Sequence, residues 1–283
     1  MNPVTDTDNF LTFTLTLQHL NPMTLLSVFL LTLARIVPIV SIAPFFGAKN
    51  LRAAIKIMFS IAYCALFFPQ NVLLIHGDIP YNIVFIGYFC KELLIGCIMG
   101  FIASLPFYIA TSTGSLVDFS RGSSALQVTD PSTAVQTSPI GLFDNSVLLV
   151  VFFAIGGPIL FFHALADSYQ IIPVDGLVGS AFFQMTTPFW SQLILLFSQF
   201  MDLTIRLAAP ALIGMLLTDL FLGIANRLAT QVQIVFLGIP LKSWVGIALM
   251  TSAWALITQV MGKEALNWIK ALHKAITQSS MFK

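Results

Sequence analysis

The chain has 283 residues, of which 57% are hydrophobic and 9% charged, with a formal net charge of +1. A mean hydropathy of +0.91 is more than a water-soluble domain of this length carries, so the composition points to a membrane protein. The near-neutral balance excludes the basic footprint of a nucleic-acid binder. Cys64, Cys90 and Cys97 lie in apolar runs without zinc or redox spacing and read as small buried hydrophobes.

Residues 1–22 form a polar segment with Asp6 and Asp8. It lacks a basic start and a small-residue cleavage site, so it does not read as a cleavable signal, and the first apolar segment is expected to stay in the mature protein. Met23 to Ile42 is the first stretch with the ~20 apolar residues that a spanning helix needs. Arg35 inside it is expected to face protein rather than lipid. Pro44, Gly47 and the cluster Lys49, Arg52 and Lys56 follow, and the positive-inside rule assigns that cluster to the cytoplasmic side. Ile57 to Phe68 is apolar up to Pro69, and Val72 to Ile75 leads to an outward-facing turn at His76-Gly77-Asp78.

Tyr81 to Ile109 is longer than one span and carries Lys91-Glu92 in its interior. Sequence neighbours point in different directions on a helix, so each is expected to find a partner elsewhere rather than in the other. Gly96, Gly100 and Ser104 form a ladder of small residues that lets another helix approach closely. Thr111 to Pro139 is the longest polar interval, with Asp118, Arg121 and Asp130. It reads as an aqueous loop or as backbone lining a protein-enclosed cavity. Gly114 and Gly122 permit unusual backbone angles. Asp130-Pro131 and Ser138-Pro139 each read as an N-cap followed by proline at the first helical position, so a short helix is expected inside the loop and a long one from Pro139.

Val147 to Phe162 is apolar but broken by Gly156-Gly157-Pro158, which should kink or end a helix. His163 and Asp167 stand four apart, a spacing that suits a metal or a proton relay but supplies only two ligands. Asp175-Gly176 opens a second polar bend reaching Thr187. Phe189 to Ala225 is apolar for longer than one span and contains Asp202, Arg206, Pro210 and Asp219, with Asp202 and Arg206 at ion-pair spacing. Asn226 to Lys242 reads as a polar connector, and Trp244 to Val260 is apolar again. From Lys263 to Ile276, Leu266, Ile269, Leu272 and Ile276 alternate with Lys263, Asn267, Lys270 and Lys274, the pattern of a basic amphipathic helix.

The chain thus divides into residues 1–22, an N-terminal helical part 23–187 that includes the polar loop 111–139, a C-terminal helical part 188–262 and a tail 263–283. A conventional topology fails: no assignment of the apolar segments puts Lys49 to Lys56, Arg227 and Lys242, and the tail all on one side. Arg35, Lys91, Glu92, Asp202, Arg206 and Asp219 read as buried charges or subunit contacts. The expected fold is an all-α membrane protein of broken, tightly packed hydrophobic helices, embedded in a larger assembly.

Several motifs, in order, resemble the T-type subunit of the type III secretion export apparatus, whose flagellar counterpart is the R-type export protein. They are Lys91-Glu92-Leu93-Leu94-Ile95-Gly96, Leu105-Pro106-Phe107-Tyr108, Val117-Asp118 with Arg121-Gly122, Gln136-Thr137-Ser138-Pro139, Ala209-Pro210, Asn226-Arg227 and Ile239-Pro240-Leu241-Lys242-Ser243. The Lys-Glu and Gln-Thr-Ser-Pro elements are closer to the injectisome branch, while Ala229-Thr230 stands where the family often has Ala-Pro. The resemblance implies a subunit whose N-terminal part is R-type-like and whose C-terminal part is S-type-like, joined to R- and S-type partners at the entrance channel for unfolded secreted proteins. It further implies the U-type switch protein, the V-type export gate protein, inner-rod and needle components and membrane lipid as neighbours. The implied location is the bacterial inner membrane, multi-pass and partly raised into the periplasm. By motif, a plug would come from loop 111–125, at Gly114, Val117, Asp118, Phe119, Arg121 and Gly122, with Asp130, Pro131, Gln136, Ser138 and Pro139 shaping the return to helix.

The rival reading is an ion-coupled secondary transporter, motivated by Arg35, Glu92, Asp202, Arg206 and Asp219 in apolar surroundings; it requires an inverted repeat, which the sequence does not show. An enzyme is the third reading. The histidines His19, His76, His163 and His273 are scattered and no HExxH, GxSxG or phosphate-loop pattern occurs, so neither a catalytic role nor a cofactor or metal is expected.

Overall fold

In a computed structural model, the structure describes residues 21–47, 51–75, 77–79, 81–122, 128–129, 136–176, 188–228 and 234–278. These form seven helices, α1 (Pro22–Ile42), α2 (Ala53–Leu73), α3 (Ile83–Ser120), α4 (Pro139–Ala154), α5 (Gly157–Ile171), α6 (Pro188–Leu228) and α7 (Ile234–Gln278). A 3-10 turn at Pro44–Phe46 follows α1. A two-residue antiparallel pairing of β1 (Val128–Thr129) with β2 (Gln136–Thr137) precedes α4. The fold is all-α, and four helices, α1, α2, α3 and Trp190–Leu228 of α6, are long and apolar enough to cross a membrane.

The packing groups the chain into two interleaved units. One comprises residues 1–104, 158–193 and 269–283, the other residues 105–157 and 194–268. In the first, α1 packs along α2, and an aromatic cluster links the 3-10 turn, α2 and α5: Phe45 and Phe161 lie 5.1 Å apart, Tyr63 and Phe162 5.0 Å, and Phe67 and Tyr169 6.0 Å. Asp78 ties the turn after α2 to the start of α1, accepting from Asn21 Nδ2 at 2.9 Å and Thr24 Oγ1 at 3.0 Å. In the second unit, Phe107 meets Phe152 edge to face at 5.3 Å, and Phe143 stands 5.3 Å from Trp254.

Helix lengths carry physical information. The 38 residues of α3 and the 41 of α6 extend about 57 and 62 Å at 1.5 Å per residue, roughly twice the ~30 Å hydrocarbon core. Neither helix fits inside a bilayer as a single simple span.

The structure corrects the sequence reading in several places. Thr111 to Ser120 are not loop but the last three turns of α3. The hydroxyls of Thr111, Ser115 and Ser120 donate to the carbonyls of Phe107, Thr111 and Leu116, four residues back, so polar side chains are satisfied within the helix itself. The helix ends at Gly122, whose φ of +80° is a left-handed geometry that glycine adopts without strain. Asp130 and Pro131 lie outside the described residues. The connector from Asn226 to Lys242 is shorter than expected, because α6 runs to Leu228 and α7 starts at Ile234 with Pro240 inside it. The break after α4 occurs at Gly156, again at positive φ, +75°. Cys64 is buried, but Cys90 and Cys97 are exposed. At the end of α7, Ala265, Trp268 and Ile269 are buried while Lys263, Asn267 and Lys270 are exposed, a two-faced pattern that the sequence also shows.

Candidate functional site

Two polar constellations stand out, one in each unit. In the first, Arg35 on α1 and Glu92 on α3 are both fully buried. The guanidinium grips the carboxylate in a fork, with Nε 2.5 Å from Oε2 and Nη2 2.9 Å from Oε1, the strong bidentate arrangement of charge-assisted bonds. Arg35 also donates to Ser168 Oγ at 3.0 Å and to the Ile172 carbonyl at 2.8 Å, and its guanidinium carbon lies 4.1 Å from the Tyr169 ring centre. Lys91 Nζ donates to the carbonyls of Pro173 at 2.7 Å and Gly176 at 2.8 Å. It also stands 2.8 Å from Glu92 Oε1, so the adjacent pair does meet, contrary to the sequence expectation. A four-carbon lysine stem is long enough to fold back to its neighbour's carboxylate. All three charges therefore pair within one chain and pin the segment after α5 to α3.

The approach of α1 to α3 depends on two small residues. A Cβ on Gly96 would collide with the Arg35 carbonyl, and one on Gly100 would stand 3.1 Å from Ile39 Cα. Ser104, the next rung, is buried, its hydroxyl donating to the Phe101 carbonyl at 2.7 Å.

The second constellation centres on Asp118, 3% exposed near the end of α3. Its carboxylate is ion-paired to Arg121, accepts the Ser138 hydroxyl and accepts the Ile140 backbone N–H at 2.9 Å. Ser138 is the N-cap of α4 and accepts from Gly141 N–H at 2.9 Å, while Pro139 fills the first helical position, where no N–H is needed. The negative charge of Asp118 thus lies at the N-terminus of α4, where the helix dipole favours it. One turn back on α3, Gly114 meets Gly141 so closely that a Cβ on Gly114 would stand 2.5 Å from the Gly141 Cα. Arg121 runs its stem across Gly246 of α7, where a Cβ would lie 2.9 Å from its Cδ. An open groove of about 640 Å³ flanks this node, lined by Ser115, Asp118 and Phe119 of α3 and by Phe200, Met201 and Thr204 of α6.

Gly114, Val117 and Asp118 are buried, Phe119 is 73% exposed, and Arg121 and Gly122 are half-buried. Asp202, Arg206 and Asp219, read from sequence as buried charges or subunit contacts, are all exposed in this chain. The pair Asp202–Arg206 closes at 2.8 Å, and Asp219 pairs with Lys242. They lie away from the buried stripe of α6, formed by Thr204, Leu207, Ala208, Ala211, Met215 and Thr218. Among the described residues no group of three or more His, Cys, Asp or Glu is placed to hold a metal ion. Sequence reasoning passed over Gly141, Ser168, Tyr169 and Asp144. For Asp144 a signal existed, a lone carboxylate in the apolar run after Pro139.

The sequence model described as "Bacterial export proteins, family 1" matches residues 26–267. The chain is 34% identical over 153 residues to the Yop proteins translocation protein T of Yersinia pestis, covering 54% of this chain and 57% of that protein. It is 30% identical over 199 residues to the secretion system apparatus protein SsaT of Salmonella typhimurium, covering 70% and 73%. To the flagellar biosynthetic protein FliR of Bacillus subtilis it is 27% identical over 233 residues, covering 82% and 88%. The match to the Yersinia protein therefore spans little more than half of that relative's length, while the family match covers both polar constellations. On this match the chain belongs to bacterial export protein family 1, the T-type export subunits homologous to FliR.

Proposed function

We propose that the chain is a core subunit of the type III protein-secretion export gate in the bacterial inner membrane. There it joins R-type and S-type subunits to form the entrance channel for unfolded secreted proteins, with an R-type-like N-terminal part and an S-type-like C-terminal part, and it performs no catalysis of its own. The U-type and V-type proteins and the inner-rod and needle components are its further neighbours, and part of the assembly stands above the bilayer on the periplasmic side.

The observation that carries this reading is the outward face of α6. Asp202 and Arg206, with side chains 51% and 74% exposed, alternate there with the exposed apolar residues Met201, Ile205 and Ile213. A charged residue at the centre of a lipid-facing helix costs about 2.5–3.5 kcal/mol on insertion scales, and water is an equally poor neighbour for the apolar ones. A protein partner with its own polar groups satisfies both.

The end of α3 supports a share in closing the channel. Phe119 projects from a helix whose neighbouring turn is locked through Asp118, a bulky apolar group on a firm base that yields by rotamer change rather than by breaking strong contacts. Phe119→Ala is expected to make membranes carrying the assembled complex leak small ions while the subunit still copurifies with its partners, because the side chain is mostly exposed in this chain. Ion-flux measurements on such membranes check this, and unchanged permeability would count against the plug.

A further inference from the structure

Asp144 lies on α4, six residues past its N-cap. It is 1% exposed, on the buried stripe of α4 that continues through Leu148 and Phe152. Neither of its carboxylate oxygens has a hydrogen-bond partner among the described residues. The charge that acts on it comes from Asp118 on α3. Arg121, on the same turn as Asp118, is ion-paired to it, and Glu264 on α7 lines a small void beside Leu148, one turn farther along α4.

The two aspartates therefore occupy opposite surroundings. Asp118 receives a guanidinium, a hydroxyl and a backbone N–H. Among the described residues Asp144 receives no donor, and its carboxylate neighbour Asp118 repels a second negative charge. A buried carboxylate with neither donor nor counter-ion is the costliest arrangement an interior can hold, and binding a proton removes that cost.

We propose that Asp144 is a proton-binding site in the interior of the second unit. It takes a proton from water as α4 closes on α3, and returns it to water when the two helices part. The closure is tight because Gly114 and Gly141 meet backbone to backbone one turn before Asp144, and Asp144 itself is 1% exposed. Separating α4 from α3 is then also a proton-release step. The inference rests on packing within the second unit and holds whether or not the gate reading does.

The test is infrared spectroscopy on the full-length chain in detergent at neutral pH, comparing wild type with Asp144→Asn and Glu264→Gln. The expected result is a carbonyl-stretch band of a protonated carboxyl in the wild type, lost in Asp144→Asn and kept in Glu264→Gln. A wild-type spectrum without that band, or a band that survives Asp144→Asn, overturns the proposal. Should Asp144→Asn fail to fold, labelling of the wild type with a hydrophobic carbodiimide, which reacts with protonated carboxyls in apolar surroundings, decides the matter. An adduct on the Asp144 peptide that disappears at alkaline pH supports the site, and an unlabelled Asp144 beside labelled carboxyls elsewhere overturns it.

Discussion

Glu92→Ala is expected to abolish recovery of a monodisperse subunit from the membrane. The substitution removes the carboxylate that pairs with the fully buried Arg35, and leaves Lys91 with the carbonyls of Pro173, Val174 and Gly176 and the more distant charge of Asp175. Removing one partner of a buried ion pair costs about 3–5 kcal/mol, a large part of the 5–15 kcal/mol that typically separates folded from unfolded domains. The damage also spreads, since the same cluster holds Ser168 and the Ile172 carbonyl beside α1. The measurement is size-exclusion profile and thermal melting of the detergent-solubilised chain. The triple replacement Arg35→Met, Lys91→Met and Glu92→Met separates the causes: it restores much of the loss if uncompensated charge is responsible, because apolar residues of similar volume replace buried ion pairs at little cost. A single Glu92→Ala variant with an unchanged profile would refute the locking role of the cluster.

The second large effect is expected at Gly114. A β-carbon there would stand 2.5 Å from the Gly141 Cα, nearer than packed atoms approach, so even Gly114→Ala forces α3 and α4 apart. Overpacking typically costs about 1–3 kcal/mol, and this contact lies at the upper end because backbone, not a flexible side chain, must move. The shift also strains the Ile140 N–H and Ser138 bonds to Asp118, one turn away. Gly223→Ala is the control, at an exposed helical position where a β-carbon meets nothing within 4 Å, and there alanine favours the helix. Melting curves of the two variants side by side check this. Equal melting of Gly114→Ala and Gly223→Ala would contradict the close approach of the two helices.

Much of the fold was legible because apolar runs of helical length dominate the sequence and their interruptions carry Gly and Pro at the necessary points, as at Gly156-Gly157-Pro158. The start of the tail, residues 263–270, also announces its two faces. The polar stretch misled because composition alone does not say where a hydroxyl goes. Thr111, Ser115 and Ser120 return their protons to their own helix, so a segment that reads as loop continues α3 for ten residues. The partners of Arg35 stand 57 residues away at Glu92 and 133 away at Ser168, distances at which spacing arguments are silent. Asp202, Arg206 and Asp219 read as buried charges or subunit contacts because their neighbours are apolar, and in this chain they are exposed. The apolar neighbours are themselves exposed, a face that lipid or a partner subunit would cover.

That last property leads to the decisive measurement, the native mass of the tagged chain purified in mild detergent, alone and co-expressed with R-type and S-type subunits. The expected result is one copy held in a large hetero-oligomer with both partners, and a poorly behaved chain in their absence. A stable monomer or homodimer that ignores those partners would contradict it.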